Sequence, residues 1–80
     1  MFKTLYSRRY GTLLETLIAV RRTQGLTQMD VAKRLKVTQS WVSKCERGAR
    51  RLDVVELEMW CDALGMPLAK FLRQYDRAVL

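Results

Sequence analysis

The chain has 80 residues, with 15 Lys and Arg against 8 Asp and Glu, a formal net charge of +7, no His, two Cys and one Pro. That length allows one domain, and a domain so small buries only about 60% of the surface its unfolded chain exposes, which leaves little room for a deep pocket. The missing His removes the commonest general base and metal ligand, and two lone Cys are too few for a zinc site or a secreted disulfide scaffold.

Punctuation along the chain is helical throughout. Leu14, Leu17 and Ile18 follow the spacing of a buried helical stripe that continues to Arg21, and Gly25 ends it. The start of this first helix has two readings. Thr12-Leu13-Leu14-Glu15 reads as a capping box after Gly11. Ser7 is an earlier cap, which places Gly11 inside the helix at a cost of about 1 kcal/mol. Thr27 to Asp30 is a second start signal, because the Thr27 hydroxyl can accept from the Asp30 N–H and an acid suits the first turn. Met29, Val31, Ala32 and Leu35 supply the apolar positions of a short helix.

Thr38 opens a third helix with no capping box, since Trp41 holds the third position. Val42, Cys45 and Glu46 share one side; Ser40, Ser43, Lys44 and Arg47 share the other, with Gln39 on the flank. Gly48 is its stop. Asp53-Val54-Val55-Glu56 is a capping box for a fourth helix, with Val54, Leu57, Cys61 and Leu64 on one stripe and Gly65 at its end. Pro67 suits a first helical turn, and a last helix runs through Leu68, Phe71, Leu72 and Tyr75. Five short helices and no strand signal predict an all-α domain.

Charge is segregated along this plan. Lys33, Arg34, Lys36, Lys44, Arg47, Arg50 and Arg51 face only Glu46 between residues 33 and 51, whereas residues 52–66 carry Asp53, Glu56, Glu58 and Asp62 and no base. A basic middle of this kind points to an anionic partner, nucleic acid first.

Two short helices, roughly 28–35 and 39–47, joined by Lys36-Val37-Thr38, have the layout of a helix-turn-helix, whose second helix enters the DNA major groove. Leu26-Thr27-Gln28, Val31-Ala32, Leu35, Val37-Thr38-Gln39-Ser40, Val42-Ser43-Lys44, Glu46-Arg47-Gly48 and Ala63-Leu64-Gly65 resemble the phage-repressor and Cro-like helix-turn-helix family, the xenobiotic-response-element type of bacterial regulator. The resemblance covers residues 12–72 and implies a five-helix, lambda-repressor-like fold, with 1–11 and 73–80 as extensions of a single domain over 1–80.

The resemblance also implies roles. Gln39, Ser40, Ser43 and Lys44 match base-reading positions; Gln can bond adenine and Lys can donate to guanine. Gln28, Thr38, Arg47, Arg50 and Arg51 match phosphate-contacting positions. Arg21 and Glu46 match an ion pair that ties the first helix to the recognition helix. Three departures stand out. Lys36 occupies a turn position that is usually Gly, Cys45 replaces a larger core residue, and Trp41 sits at the core edge, where it is expected to pack on a neighbouring helix. Met59, Trp60, Met66, Phe71 and Tyr75, with Val79 and Leu80, exceed the needs of a small core; Met59, Met66, Phe71, Tyr75 and Leu80 are therefore read as a dimer surface. Phe2, Leu5, Tyr6 and Tyr10 are expected to pack as well.

The function so implied is a sequence-specific transcriptional regulator, a dimeric repressor of a pseudo-palindromic operator. The alternatives are a restriction–modification controller and an antitoxin with a toxin protein as partner. No catalytic residues, cofactor or metal are expected, since there is no phosphate loop and no nucleophile–base pair. RNA is disfavoured because no aromatic stacking platform is present. No apolar run approaches the roughly 20 residues of a membrane span, and no signal peptide is read at Met1-Phe2-Lys3-Thr4. The expected location is the cytoplasm, on the nucleoid when DNA is bound.

Overall fold

The computed structural model describes the backbone of residues 2–80 and the side chains of residues 8–80. Five helices follow one another: α1 (Phe2–Thr23), α2 (Gln28–Leu35), α3 (Gln39–Glu46), α4 (Val54–Ala63) and α5 (Leu68–Val79). They wrap one core of Leu14, Leu17, Val20, Val31, Val42, Cys45, Leu57, Trp60, Cys61, Leu64 and Phe71.

α1 begins earlier than either reading of its start. It is continuous from Phe2 through Ser7 and Gly11, so neither Ser7 nor Thr12 caps it. The Thr12 hydroxyl instead donates to the Arg8 carbonyl at 3.1 Å, and the Thr16 hydroxyl to that of Thr12 at 2.8 Å. These back-bonds let threonine sit inside a helix. Gly11 is tolerated there because one costly residue in 22 is outweighed by the buried face of Leu14, Leu17 and Val20. The expected packing of Phe2, Leu5 and Tyr6 lies outside the described side chains. Tyr10 packs against the core, and its hydroxyl accepts from the Leu52 N–H at 2.9 Å.

α2 starts on a capping box: the Thr27 hydroxyl accepts from the Asp30 N–H, and the Asp30 carboxylate accepts from the Thr27 N–H at 2.8 Å. Lys36 ends it in the left-handed region at φ 60°, ψ 43°. That single reversal turns the chain so that α3 packs on α2. Thr38 caps α3, its hydroxyl accepting from the Trp41 N–H at 3.0 Å. Gly48, at φ 80°, ends α3 where a side chain would be strained.

α4 carries the Asp53–Glu56 capping box, but its buried stripe differs from the expected one. Val54 is 65% exposed, whereas Trp60 is fully buried beside Leu57, Cys61 and Leu64. The stripe is rotated toward the large indole, which leaves Val54 at its far edge in the first turn. Pro67 precedes α5 as its cap, one position before the first helical residue. Phe71, expected on a dimer surface, is fully buried beneath α5 and fills the chain's own core. Trp60 likewise belongs to the interior. Met66 and Tyr75 are half-buried against the core, while Met59 and Leu80 are exposed.

Candidate nucleic-acid interface

α3 is held from one side only. Val42 and Cys45 are completely buried and Glu46 nearly so. Gln39, Ser40 and Lys44 stand exposed on the other side. Ser43 is half-buried, and its hydroxyl accepts from Arg47 Nε at 3.3 Å. The helix thus presents a row of polar side chains on a rigid support, the arrangement that base reading requires.

The support is partly ionic. Arg21 Nε donates to Glu46 Oε2 at 2.7 Å and Arg21 Nη2 to Glu46 Oε1 at 2.9 Å, while Nη1 donates to the Leu26 carbonyl at 2.9 Å. One guanidinium therefore joins α1, the α1–α2 turn and the end of α3. Gln28 completes the cluster: its Nε2 donates to Glu46 Oε1 at 2.9 Å. An amide nitrogen carries two hydrogens, so the second remains available to a phosphate oxygen. Such a pair is buried without loss only when its hydrogen bonds are met, and here they are.

The basic side chains divide into two groups. Arg47 is exposed beside the recognition face, and Arg51 is exposed with its guanidinium 4.6 Å from the Tyr10 ring centroid. Arg50 is placed differently from its expected phosphate-contacting role. Its Nη2 donates to Glu56 Oε2 at 2.7 Å, its Nη1 to the Arg51 carbonyl at 3.3 Å, and its guanidinium lies 4.9 Å from the Trp41 ring centroid. Trp41 in turn stacks on Trp60, centroids 5.8 Å apart. Trp41 therefore packs on the neighbouring helix, as expected for a half-buried indole at the core edge.

Ionisation follows these contacts. The Arg50 guanidinium and the Asp53 backbone hold Glu56 below the usual carboxylate range. The Thr27 backbone and hydroxyl do the same for Asp30. Burial pushes the Cys45 thiol up and the Cys61 thiol up to about 11, so both are inert packing groups.

Three contacts have no local signal in the sequence. Tyr10 meets Leu52 across 42 positions, and Arg34 Nη1 donates to the Ala63 carbonyl at 2.7 Å, completing the end of α4. Glu56 reads as a helix cap, yet it also anchors Arg50. Among the described residues no three or more His, Cys, Asp or Glu are grouped to hold a metal ion. No helix of the described chain is long and apolar enough to cross a membrane.

This geometry has relatives. A helix-turn-helix domain family matches residues 12–74. An XRE-family like protein from Pseudomonas syringae pv. tomato str. DC3000 is 38% identical over 95% of this chain and 93% of that one, with a TM-score of 0.88. The chain belongs to the XRE helix-turn-helix family. This XRE protein is accordingly a DNA-binding transcriptional regulator. Its fold is shared by the restriction–modification controller protein C.Esp1396I, at 21% identity over 89% of this chain and 92% of that one, with a TM-score of 0.83. Another structure of that controller is a tetramer on its natural 35-base-pair operator; its TM-score to the XRE chain is 0.83, at 21% identity over 89% of this chain and 93% of that one. Comparison with curated proteins yields no match.

Proposed function

We propose that this XRE regulator reads a pseudo-palindromic operator as a homodimer and represses by covering the DNA that polymerase needs. The observation that carries the reading is the exposed face of α3, with Gln39, Ser40 and Lys44 outward and Val42, Cys45 and Glu46 inward. Gln39 and Lys44 are the base readers, for adenine and guanine edges respectively, with Ser40 and Ser43 beside them. Gln28, Thr38, Arg47 and Arg51 lie along the phosphates on either side. Residues 1–80 act as one domain, and apolar Met59, Met66, Tyr75 and Leu80 contribute to the pairing of two copies.

A dimer matches two half-sites about one helical turn apart. The operator-bound tetramer of C.Esp1396I supports that economy of means, since assembly there also accompanies DNA binding. The reading needs DNA and a second copy of the chain, and no cofactor, catalytic step or toxin partner. It places the protein in the cytoplasm, on the nucleoid when bound.

Selection of bound fragments from random DNA, followed by a salt titration, tests the proposal. About six phosphate contacts give a log–log slope near −5. Gln39→Ala and Lys44→Ala are expected to relax specificity at one or two operator positions each, at a cost of about 1–3 kcal/mol per lost base contact. A slope near zero, or variants with the parent's selected sequence, overturns the assignment.

A further inference from the structure

Arg50 is a cation in the basic middle of the chain, yet its charge is already spent. Glu56 lies at 2.7 Å from it, and two of the guanidinium's nitrogens are engaged, one by that carboxylate and one by the Arg51 carbonyl. A phosphate approaching Arg50 would meet the Glu56 carboxylate beside it, and the net field of the pair is weak. What the guanidinium does cover is the Trp41 ring. Trp41 lies in the first turn of α3 with Gln39 and Ser40, and it stacks on Trp60, which is fully buried in the core. The stack of Trp60, Trp41 and Arg50 therefore runs from the core outward to the first turn that carries two of the base readers.

Its outer end is fixed independently. Glu56 is the third residue of α4, and its second oxygen accepts from the Asp53 N–H at 2.9 Å within the capping box. The Arg50 N–H donates to the Lys44 carbonyl at 3.3 Å, which ties the same residue to the end of α3. Arg50 thus spans both ends of the recognition helix and the start of α4.

We infer that Arg50 is a positioning residue for base reading, which sets the first turn of α3 through Trp41 with Glu56 as its anchor, and is not a phosphate ligand. The inference rests on the operator-reading function proposed above. It gives Glu56, an acid in a DNA-binding protein, a role that favours DNA recognition. A planar guanidinium can stack and pair at once, and an ammonium cannot.

The two roles predict opposite signs for one substitution. Glu56→Gln keeps the capping box, because Gln serves at that position, and removes only the ion pair. If Arg50 positions α3, Glu56→Gln and Arg50→Ala each weaken operator binding by about fivefold, and the double variant is no weaker than either. Binding to a random duplex and the log–log salt slope stay at the parent's values, and Arg50→Lys does not restore the operator affinity. A mere loss of folding stability would leave the ratio of operator to random affinity unmoved. If Arg50 is a phosphate ligand, Glu56→Gln binds at least as tightly as the parent. Arg50→Ala then weakens both duplexes and makes the slope shallower by about 0.9, and that result overturns the inference.

Iodide quenching of tryptophan emission in the free protein gives a readout without DNA. It is expected to rise in Arg50→Ala and in Glu56→Gln as the Trp41 ring is uncovered. Unchanged quenching overturns the clamp. A parent that binds no DNA refutes the operator reading, while quenching still decides whether Arg50 and Glu56 hold Trp41.

Discussion

Lys36 has its backbone at φ 60°, where a Cβ crowds the following carbonyl at a cost of roughly 1–2 kcal/mol. Lys36→Gly relieves that strain and gives back part of it as extra freedom of the unfolded chain. The net expectation is a gain of about 0.5–1 kcal/mol in urea unfolding, with the helix-turn-helix intact. The opposite direction is expected at Glu46. Glu46→Gln leaves the Arg21 guanidinium, 8% exposed, without its counter-charge, and should cost about 3 kcal/mol in denaturant unfolding at neutral pH. A variant as stable as the parent would remove the pair from the account of α3. Both residues stand out in the sequence. Lys36 is conspicuous as a lysine where related chains turn on glycine, and Glu46 as a carboxylate on an apolar side. Arg50 could not be read in this way, because its partners come from three segments and its charge alone resembles that of any phosphate ligand.

Helix boundaries were legible wherever a side chain reports on the backbone. Thr27 with Asp30, Thr38, and Asp53 with Glu56 all cap the helices that their spacing announces. α1 departs because its threonines bond backward to carbonyls and offer no cap, and because Gly11, which looks like a stop, lies in open space within the helix. Gly11→Ala is therefore expected to stabilise the protein by about 0.5–1 kcal/mol, seen as a higher melting temperature with unchanged helix boundaries. A loss of stability would mean that the glycine is needed for a contact the isolated chain does not make. α4 departs for a different reason. Four apolar side chains fit one stripe on paper, but the volume of Trp60 decides which way the helix rolls, and volume is not encoded in periodicity.

Taken whole, the molecule has no His, so no side chain of that kind titrates near neutrality. Its pH response is expected in acid. Asp30 and Glu56 are held below the usual carboxylate range in the folded state, so the unfolded chain binds more protons there. Their contribution to stability is complete above the usual range and is lost as pH falls through the lowered values. Urea midpoints followed downward through that window should fall, and the fall should be shallower in a variant carrying Asp30→Asn and Glu56→Gln. The net charge of +7 is likewise two regions and not one, with bases clustered around α3 and acids on α4. That division was visible along the chain, whereas the neutralisation of Arg50 by Glu56 needed the two to be brought together in space. A last consequence concerns how such a regulator can change over generations. The side chains that hold α3 in place, Val42, Cys45 and Glu46, point inward, and those offered for reading, Gln39, Ser40 and Lys44, point outward. Mutation of the outer row leaves the interior untouched. New operators are therefore within reach by single substitutions that cost the fold little, and a duplicated copy could diverge in target while keeping the same scaffold.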